Sequence, residues 1–318
     1  MPKKIMLSGV KPTGAPHIGN YFGAMKQFMD LQKEHEGYIF IADYHALNFI
    51  KNRDELKKNI LGVLLDYLAI GLDPEKITIF KQSDISEHPE LSCIFDTLMS
   101  VPYLKRAHAY KDAVAKGKED EFSMGDFNYP MLMAADILLY SPDVVPIGQD
   151  QKQHLEFARD TAIKFNSTFG ETFKLPEPMI LEDVAVVPGT DGKKMSKSYG
   201  NHIPLFAEYD EIKKCVMSII TDSSGGVPKN VYAIHKLVRP ESELKKIYEE
   251  KAGKYKELKE MLLEDLEKFI APLRKRRKEL EKDIPGALAI LQAGGKRAKK
   301  VAEAKMEEVR EKIGVKVY

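Results

Sequence analysis

Short apolar runs alternate with longer helical patterns along the first half of the chain. The apolar runs are typical of strands and occupy residues 5–10, 38–42, 77–80 and 144–147, while helical periodicity follows in residues 56–68, 89–99 and 150–165. This alternation predicts an α/β fold in which crossover helices connect the strands of a parallel sheet. Ligands of open parallel sheets bind beyond the carboxyl ends of the strands. The segments that follow the strands are therefore expected to share one crevice: residues 11–20, 43–45 and 148–151.

The second half of the chain has a different pattern, which starts near residue 205. Long charged segments there carry apolar residues at helical spacing, for example Leu258, Leu262, Leu266, Phe269 and Leu273. Pro272 falls inside this series and is expected to kink or end the helix. We therefore expect a sheet-containing domain over residues 1–204 and an α-helical domain over residues 205–318.

Composition is that of a globular enzyme large enough for two domains. The chain has 318 residues, of which 43% are hydrophobic and 31% are charged. The apolar run near the N-terminus is too short for a signal peptide and is broken by Gly9 and Pro12, so a cytoplasmic location without membrane contact is expected. The only cysteines, Cys93 and Cys215, lack the spacing of a zinc or iron–sulfur site and are expected to be buried thiols. No set of residues is predicted to bind a metal.

Charge is distributed unevenly between the two halves. Residues 241–318 contain 21 Lys+Arg and 16 Asp+Glu, a net charge of +5, whereas residues 1–240 carry −4. Part of this excess lies in two basic clusters, residues 274–278 and residues 296–300. Such clusters are typical of contacts with RNA phosphates, but helix faces that are simply solvated have the same composition. Both interpretations remain open at the level of sequence.

Two lysines and two serines stand together in a segment that follows the turn-rich residues 188–192: Lys194, Met195, Ser196, Lys197 and Ser198. Two cations and two hydroxyls on a loop can neutralise a departing pyrophosphate. The segment therefore predicts a loop that uses ATP, with a solvated basic turn as the alternative.

A second candidate for phosphate binding lies where the first strand gives way to a helix. His17, Gly19 and Asn20 fall at the predicted start of that helix. Backbone N–H groups at a helix start have no intrahelical partner and attract phosphate. Gly19 has no Cβ, so a nucleoside can approach the backbone, while His17 and Asn20 supply side-chain donors. Taken alone, His17 could equally be an ordinary surface histidine.

Together, the two segments resemble the HIGH and KMSKS signatures of the class I aminoacyl-tRNA synthetases. Residues 42–46, 129–138 and 148–154 further resemble the pocket segments of the bacterial-type tryptophanyl-tRNA synthetases. The chain departs from the family pattern at four positions. Asn20 stands where the family has a second His, and Leu7 stands where it often has Phe. Lys11 and Gln149 stand where the family often has Gln and Glu, respectively. The resemblance extends over nearly the whole chain.

The resemblance implies an enzyme with a Rossmann-like catalytic domain over residues 1–204 and a helical anticodon-binding domain over residues 205–318. The implied reaction activates L-tryptophan with ATP to tryptophanyl-adenylate plus pyrophosphate. Tryptophan then passes to the 3′-terminal adenosine of tRNA(Trp). The family also implies a homodimer, and Mg²⁺ that is bound largely through the nucleotide's phosphates.

The resemblance also assigns roles to residues on the nucleotide side. Lys194, Lys197, Ser196, His17 and Lys111 are implied as the catalytic group, because they would hold the phosphates and the leaving pyrophosphate. The implied ATP-binding residues are Lys11, Pro12, Thr13, His17, Gly19, Asn20, Gly148, Gln149, Asp150, Lys194, Met195, Ser196, Lys197 and Ser198.

Recognition of an indole makes a separate demand, because the ring has one N–H donor and no acceptor. Asp136 lies in an otherwise apolar stretch, where a buried carboxylate could accept that hydrogen bond. A side chain that points to water is the alternative. The resemblance extends the tryptophan-binding set to Met133, Tyr129, Gln151, His45, Leu7, Ser8, Gly9, Val145 and Ile147.

Three other classes of protein remain candidates. A tyrosyl-tRNA synthetase shares the fold and both signatures, but its site must satisfy a phenol hydroxyl that both donates and accepts. A nucleotidylyltransferase shares the first signature and has no use for the basic helical region. A protein that binds tRNA without activity could retain the fold, although the intact Lys194, Lys197, His17 and Asp150 argue against it.

Overall fold

The computed structural model describes residues 3–148, 151–180, 187–221 and 226–318. Five parallel strands form one sheet in the order β3-β2-β1-β4-β5. Their bounds are β1 Ile5–Val10, β2 Glu36–Ile41, β3 Ile77–Lys81, β4 Val144–Ile147 and β5 Glu177–Ile180. The four strands that the sequence predicted are present with small shifts of their ends, and β5 is the strand that the sequence analysis missed.

The helices of the first half connect successive strands of the sheet. Their bounds are α1 Ile18–Asn20, α2 Lys26–Leu31, α3 Asp43–Ala46, α4 Arg53–Ile70, α5 Glu87–Asp96, α6 Val101–Leu104, α7 His108–Ala115, α8 Met124–Leu138 and α9 Lys152–Phe169. A π-helical segment, Tyr21–Met25, joins α1 to α2. Helix α4 begins where the Asn52 side chain accepts from two backbone N–H groups and ends at Gly71, whose φ of 105° suits only glycine well.

The helices after residue 205 pack directly against elements of the first half. Their bounds are α10 Tyr209–Met217, α11 Lys229–His235, α12 Glu241–Glu250, α13 Tyr255–Leu280 and α14 Ile284–Lys312. Helix α13 contacts α4, and α14 contacts the edge strand β3 and α5. One cluster of buried side chains includes both Leu64 of α4 and Leu262 of α13. The C-terminal helices therefore share a hydrophobic core with the sheet.

Helix α14 covers β3 at unusually close range. A Cβ at Gly294 would lie 1.8 Å from the carbonyl oxygen of Ile79, so only a glycine allows this approach of helix to strand backbone. Arg297, one turn further, donates to the Pro74 carbonyl oxygen at 3.0 Å. An exposed edge strand can pair with other chains, and α14 protects this edge from such pairing.

Two expectations from the sequence change with the structure. Pro272 does not end its helix: α13 continues through this residue, which lies on the exposed side, where the carbonyl that loses its helical partner can bond to water. Cys93 is exposed and Cys215 is only partly buried, so neither is the fully buried thiol that was expected.

The role of the basic cluster 274–278 was open at the level of sequence. The cluster is partly a structural element, because Arg274 bonds Glu267 and Arg277 bonds Asp66. Within the described ranges, no helix is long and apolar enough to cross a membrane.

The close contact at Gly294 predicts that Gly294→Ala destabilises the protein by roughly 2 kcal/mol, because the added methyl must push α14 away from β3. Gly62→Ala is the matched control: Gly62 also lies inside a helix, and a Cβ there would meet nothing within 4 Å. The intrinsic gain from replacing a helical glycine is about 1 kcal/mol at both positions, so the difference isolates the clash. Urea unfolding measures both free energies, and equal stabilisation of the two variants would contradict the packing described here.

Candidate active site

A large cavity lies at the carboxyl ends of the central strands. Its volume is about 1490 Å³, and its wall includes Val10 at the end of β1, Ala42 after β2 and Gly148 after β4. Pockets for one drug-sized ligand are about 300–1,000 Å³, so this cavity has room for two small molecules side by side. The three segments that were expected to share a crevice do meet in this one.

The cavity wall contains every residue that was predicted to bind tryptophan. These residues are Leu7, Ser8, Gly9, His45, Tyr129, Met133, Asp136, Val145, Ile147 and Gln151. Tyr129, Met133 and Asp136 reach the cavity from one face of α8 because they are four and three residues apart. A Cβ at Gly9 would lie 2.4 Å from the ring of Phe40, so the absence of a side chain at Gly9 allows the Phe40 ring to line the cavity.

Asp136 is completely buried and lies among three donors. His45 Nε2 is 2.9 Å from Oδ2, His88 Nδ1 is 2.6 Å from Oδ1, and Gln82 Nε2 donates to Oδ1 at 2.8 Å. Burial raises the pKa of a carboxyl group, but the charges and hydrogen bonds of His88 and His45 outweigh this effect and lower the pKa of Asp136 to about 2. Asp136 is therefore an anion at neutral pH, and the alternative in which it points to water is wrong.

Tyr129 and Gln151 are connected by a histidine that the sequence analysis did not select. The Tyr129 hydroxyl contacts His154 Nε2, and His154 Nδ1 is 2.8 Å from Gln151 Oε1. Burial raises the pKa of Tyr129 to about 12, so its hydroxyl keeps its proton and can donate to His154. This arrangement fixes the orientation of all three side chains at the cavity wall.

The start of α1 forms another part of the cavity wall. His17 caps the helix: its Nδ1 accepts from the Asn20 backbone N–H at 3.2 Å, and Asn20 Oδ1 accepts from the His17 N–H at 3.0 Å. Burial, together with His202 and Lys197, lowers the pKa of His17 to about 4. His17 is thus neutral at pH 7, and because Nδ1 is an acceptor, the proton is on Nε2. A neutral N–H donor at a helix start is well suited to a phosphate oxygen.

The loop with the two lysines lies against this helix start. Met195 is buried, and its backbone N–H donates to Val187 O at 2.9 Å. Asn201 accepts from the Ser196 N–H at 2.8 Å and donates to the Lys194 carbonyl at 3.2 Å. Asn201 therefore fixes the backbone of the loop. Lys194, Met195, Ser196, Lys197 and Ser198 all line the cavity.

Lys197 connects the loop to the first segment. Its Nζ donates to the Thr13 carbonyl at 2.7 Å, and partial burial lowers its pKa. Asp66, another cavity residue missed from the sequence, bonds Arg277 Nε at 2.7 Å; burial raises the pKa of Asp66 to about 6 although Arg277 acts in the opposite direction. Helix α13 thereby contributes a cation next to the lysine loop.

Some predicted residues lie elsewhere. Lys11, Thr13, Gly19, Asn20 and Gly148 line the cavity with His17, but Pro12 is buried away from its wall. Lys111 is exposed on α7, and the structure does not bring it into the wall, although its neighbour Ala109 is there. Gln149 and Asp150 lie outside the described residues, so their predicted contact with ATP has no structural counterpart here. Among the described side chains, no group of three His, Cys, Asp or Glu could hold a metal ion.

Known proteins resemble this chain over nearly its full length. Residues 2–278 match the family model described as tRNA synthetases class I (W and Y), so the chain belongs to the class I tRNA synthetases. It is 47% identical to a tryptophan–tRNA ligase of Fusobacterium nucleatum over 98% of both chains. It is 43% identical to one of Rhodopirellula baltica, with coverage of 98% and 99%.

A crystal structure agrees with these relatives. Tryptophanyl-tRNA synthetase from Campylobacter jejuni, complexed with ADP and tryptophan, superimposes with a TM-score of 0.89 at 44% identity over 98% of this chain and 99% of that one. The family and the fold class that were predicted from sequence are confirmed, and these relatives belong to the predicted tryptophan branch.

The low pKa of His17 predicts an acid-labile site. An unfolded histidine titrates near 6.5 and folded His17 titrates near 4, so protonation between these values favours the unfolded chain. The free energy of unfolding should fall as the pH is lowered from 6.5 towards 4. The His17→Asn variant should lose less stability over this range, because Asn still caps the helix but takes up no proton. Urea unfolding at pH 7 and pH 5 measures the difference. Identical pH dependence in both proteins would show that His17 is not held neutral.

Proposed function

We propose that the chain activates L-tryptophan with ATP and transfers it to tRNA(Trp). The observation that carries this proposal is Asp136, a buried anion in the wall of a cavity that a helix start and two lysines also line. An indole offers a single N–H donor, and Asp136 is the acceptor that such a ring needs. The membership of the family and the tryptophan–tRNA ligases among its relatives support the same function.

In the first step a carboxylate oxygen of tryptophan attacks the α-phosphorus of ATP. The bond between that phosphorus and the bridging oxygen breaks, and pyrophosphate leaves with the electron pair. No protein nucleophile is required, because positioning and stabilisation of negative charge account for most of the catalysis of such transfers. In the second step the 3′-terminal adenosine of the tRNA attacks the mixed anhydride and AMP leaves.

Each residue on the nucleotide side has a part in this proposal. Neutral His17 donates from Nε2 to a phosphate oxygen, and the Gly19 N–H and the Asn20 side-chain amide stabilise further negative charge. Lys194 and Lys197 hold the leaving pyrophosphate, with Ser196 as a hydrogen-bond donor. When phosphates are bound, we expect Lys197 Nζ to exchange the Thr13 carbonyl for a phosphate oxygen.

Mg²⁺ would enter with the nucleotide and neutralise part of its charge. The carboxylates of the described cavity wall already have partners: Asp66 accepts from Arg277, Asp126 accepts from the Ser123 N–H and hydroxyl, and Asp136 has three donors. The ion would then take its ligands from phosphate oxygens and water, as Mg²⁺ commonly does in nucleotide sites.

The helical region from residue 205 is proposed to bind the anticodon end of the tRNA, in a homodimer located in the cytoplasm. Part of its positive charge is available for this task, because Lys275 and Arg276 are exposed and form no ion pair in the described part of the chain. Lys296 and Lys300 are exposed as well. Arg274 and Arg277 are excluded from this role by their contacts with Glu267 and Asp66.

Asp136→Asn is expected to lower kcat/KM for tryptophan at least about 100-fold in the exchange of pyrophosphate into ATP. The substitution removes the negative charge that accepts the hydrogen bonds. It also places the N–H groups of an amide against His45, Gln82 and His88, which are themselves donors. The KM for ATP should change little. The chain contains no tryptophan, so the fluorescence of added tryptophan reports its binding directly. Exchange that is supported by tyrosine and not by tryptophan would refute the assignment.

Lys275→Ala combined with Arg276→Ala is expected to raise the KM for tRNA while pyrophosphate exchange stays unchanged. The salt dependence of tRNA affinity should decrease by about one unit of slope for each cation removed, because each phosphate contact releases counterions. Charging assays with purified tRNA over a range of salt concentrations provide the measurement. Unaltered tRNA affinity would exclude this face of α13 from the interface.

A further inference from the structure

Behind the wall of the cavity, His88 connects Asp136 to Tyr140. His88 is completely buried, with Nδ1 2.6 Å from Asp136 Oδ1 and Nε2 2.9 Å from the Tyr140 hydroxyl. It belongs to α5, whereas Asp136 lies in α8 and Tyr140 lies just past the end of that helix. Neither His88 nor Tyr140 lines the cavity, so neither can contact a ligand there.

The direction of the hydrogen bond between His88 and Asp136 follows from the charge on Asp136. An ionised carboxylate only accepts, so His88 must donate from Nδ1. The other ring nitrogen, Nε2, is hydrogen-bonded to the Tyr140 hydroxyl. Burial, and after it the charge of Asp136, raises the pKa of Tyr140, so the hydroxyl keeps its proton. A continuous chain of hydrogen bonds therefore runs from Tyr140 through His88 to Asp136.

The same contacts fix the orientation of the Asp136 carboxylate. His88 donates to Oδ1 and His45 donates to Oδ2, while Gln82 Nε2 lies 2.8 Å from Oδ1 and 3.0 Å from Oδ2. His88 and Gln82 are absent from the cavity wall, whereas His45 lines the cavity with Asp136. Donors on both oxygens keep the carboxylate from rotating, so its position in the cavity wall is fixed before a ligand binds.

We propose that His88, held by Tyr140, is a positioning residue that orients Asp136 and thereby sets the preference for an amino acid whose ring carries an N–H donor. This inference rests on the proposed binding of tryptophan. Specifically, the site distinguishes a ring that carries an N–H group from a ring of the same shape that lacks it. This discrimination depends on His88, which does not touch the substrate.

The test compares tryptophan with β-(3-benzothienyl)alanine, in which sulfur replaces the ring N–H and the shape is nearly unchanged. Pyrophosphate exchange gives kcat/KM for each amino acid, and the ratio of the two values measures recognition of the N–H group. In His88→Leu this ratio should fall roughly 10- to 100-fold, since a charge-assisted hydrogen bond to Asp136 is lost. The change should appear in the KM for tryptophan and not in the KM for ATP.

Two further variants separate orientation from general packing. His88→Asn keeps an N–H donor near the position of Nδ1 and should restore most of the ratio. Tyr140→Phe removes the hydroxyl that fixes His88 and should lower the ratio less than His88→Leu does. If His88→Leu proves too unstable to assay, Tyr140→Phe still tests the proposal, because a ratio equal to that of the wild type in this variant would overturn it.

The chain offers a matched control in a second buried group of the same composition. His235 is also completely buried, with Nδ1 2.9 Å from the Tyr248 hydroxyl and Nε2 2.9 Å from Asp265 Oδ2. His235→Leu should reduce stability without altering the ratio, because this group is formed by the C-terminal helices and is absent from the cavity wall. A ratio that falls equally in both leucine variants would show a general packing effect and refute the proposal.

The outcome also distinguishes this inference from the proposed function. If the wild-type protein catalyses no exchange with tryptophan, the function itself is wrong. If the wild type prefers tryptophan but His88→Leu has the same preference, the function stands and the positioning role of His88 is wrong.

Discussion

The burial of one carboxylate without access to water is the constraint on which the cavity depends. An isolated anion inside a protein costs several kcal/mol, so Asp136 is tolerable only because donors surround it. The donors come from three separate segments: His45 from α3, Gln82 from the turn after β3 and His88 from α5. Satisfying this charge therefore positions three parts of the chain around α8. The interaction that prepares the site for a ligand is also one that holds the fold together.

The nucleotide side depends on contacts between the two halves of the chain. Arg277 of α13 bonds Asp66 beside the lysine loop, and the ring of Phe269 packs on Tyr21 and Phe22 in the π-helical segment after α1. Because α13 also shares the hydrophobic core of α4, it cannot move without disturbing both contacts. The C-terminal helices thus support the helix start that carries His17, in addition to the role in RNA binding proposed for their exposed cations.

Sequence reasoning succeeded where local backbone determines the chemistry and failed where distant residues meet. His17 at a helix start and the lysines of residues 194–198 could be found because each is defined by its immediate neighbours. His88, Gln82 and His154 were missed, since a histidine or glutamine in a helical or turn segment has no feature that reveals its partner. The role of the basic cluster 274–278 stayed open for the same reason: exposed and paired arginines look alike in sequence.

By itself, the sequence determined the parallel sheet, the family and the kinds of side chain at the site, because periodicity and short signatures reflect local chemistry. Only the tertiary structure decided which donors reach Asp136, how Asp66 and Arg277 join the two halves, and that α13 passes through Pro272 unbroken. These outcomes depend on contacts between residues as far apart as 91 and 211 positions. The free energy of such contacts comes from burial and pairing in the folded state, which no local pattern of residues encodes.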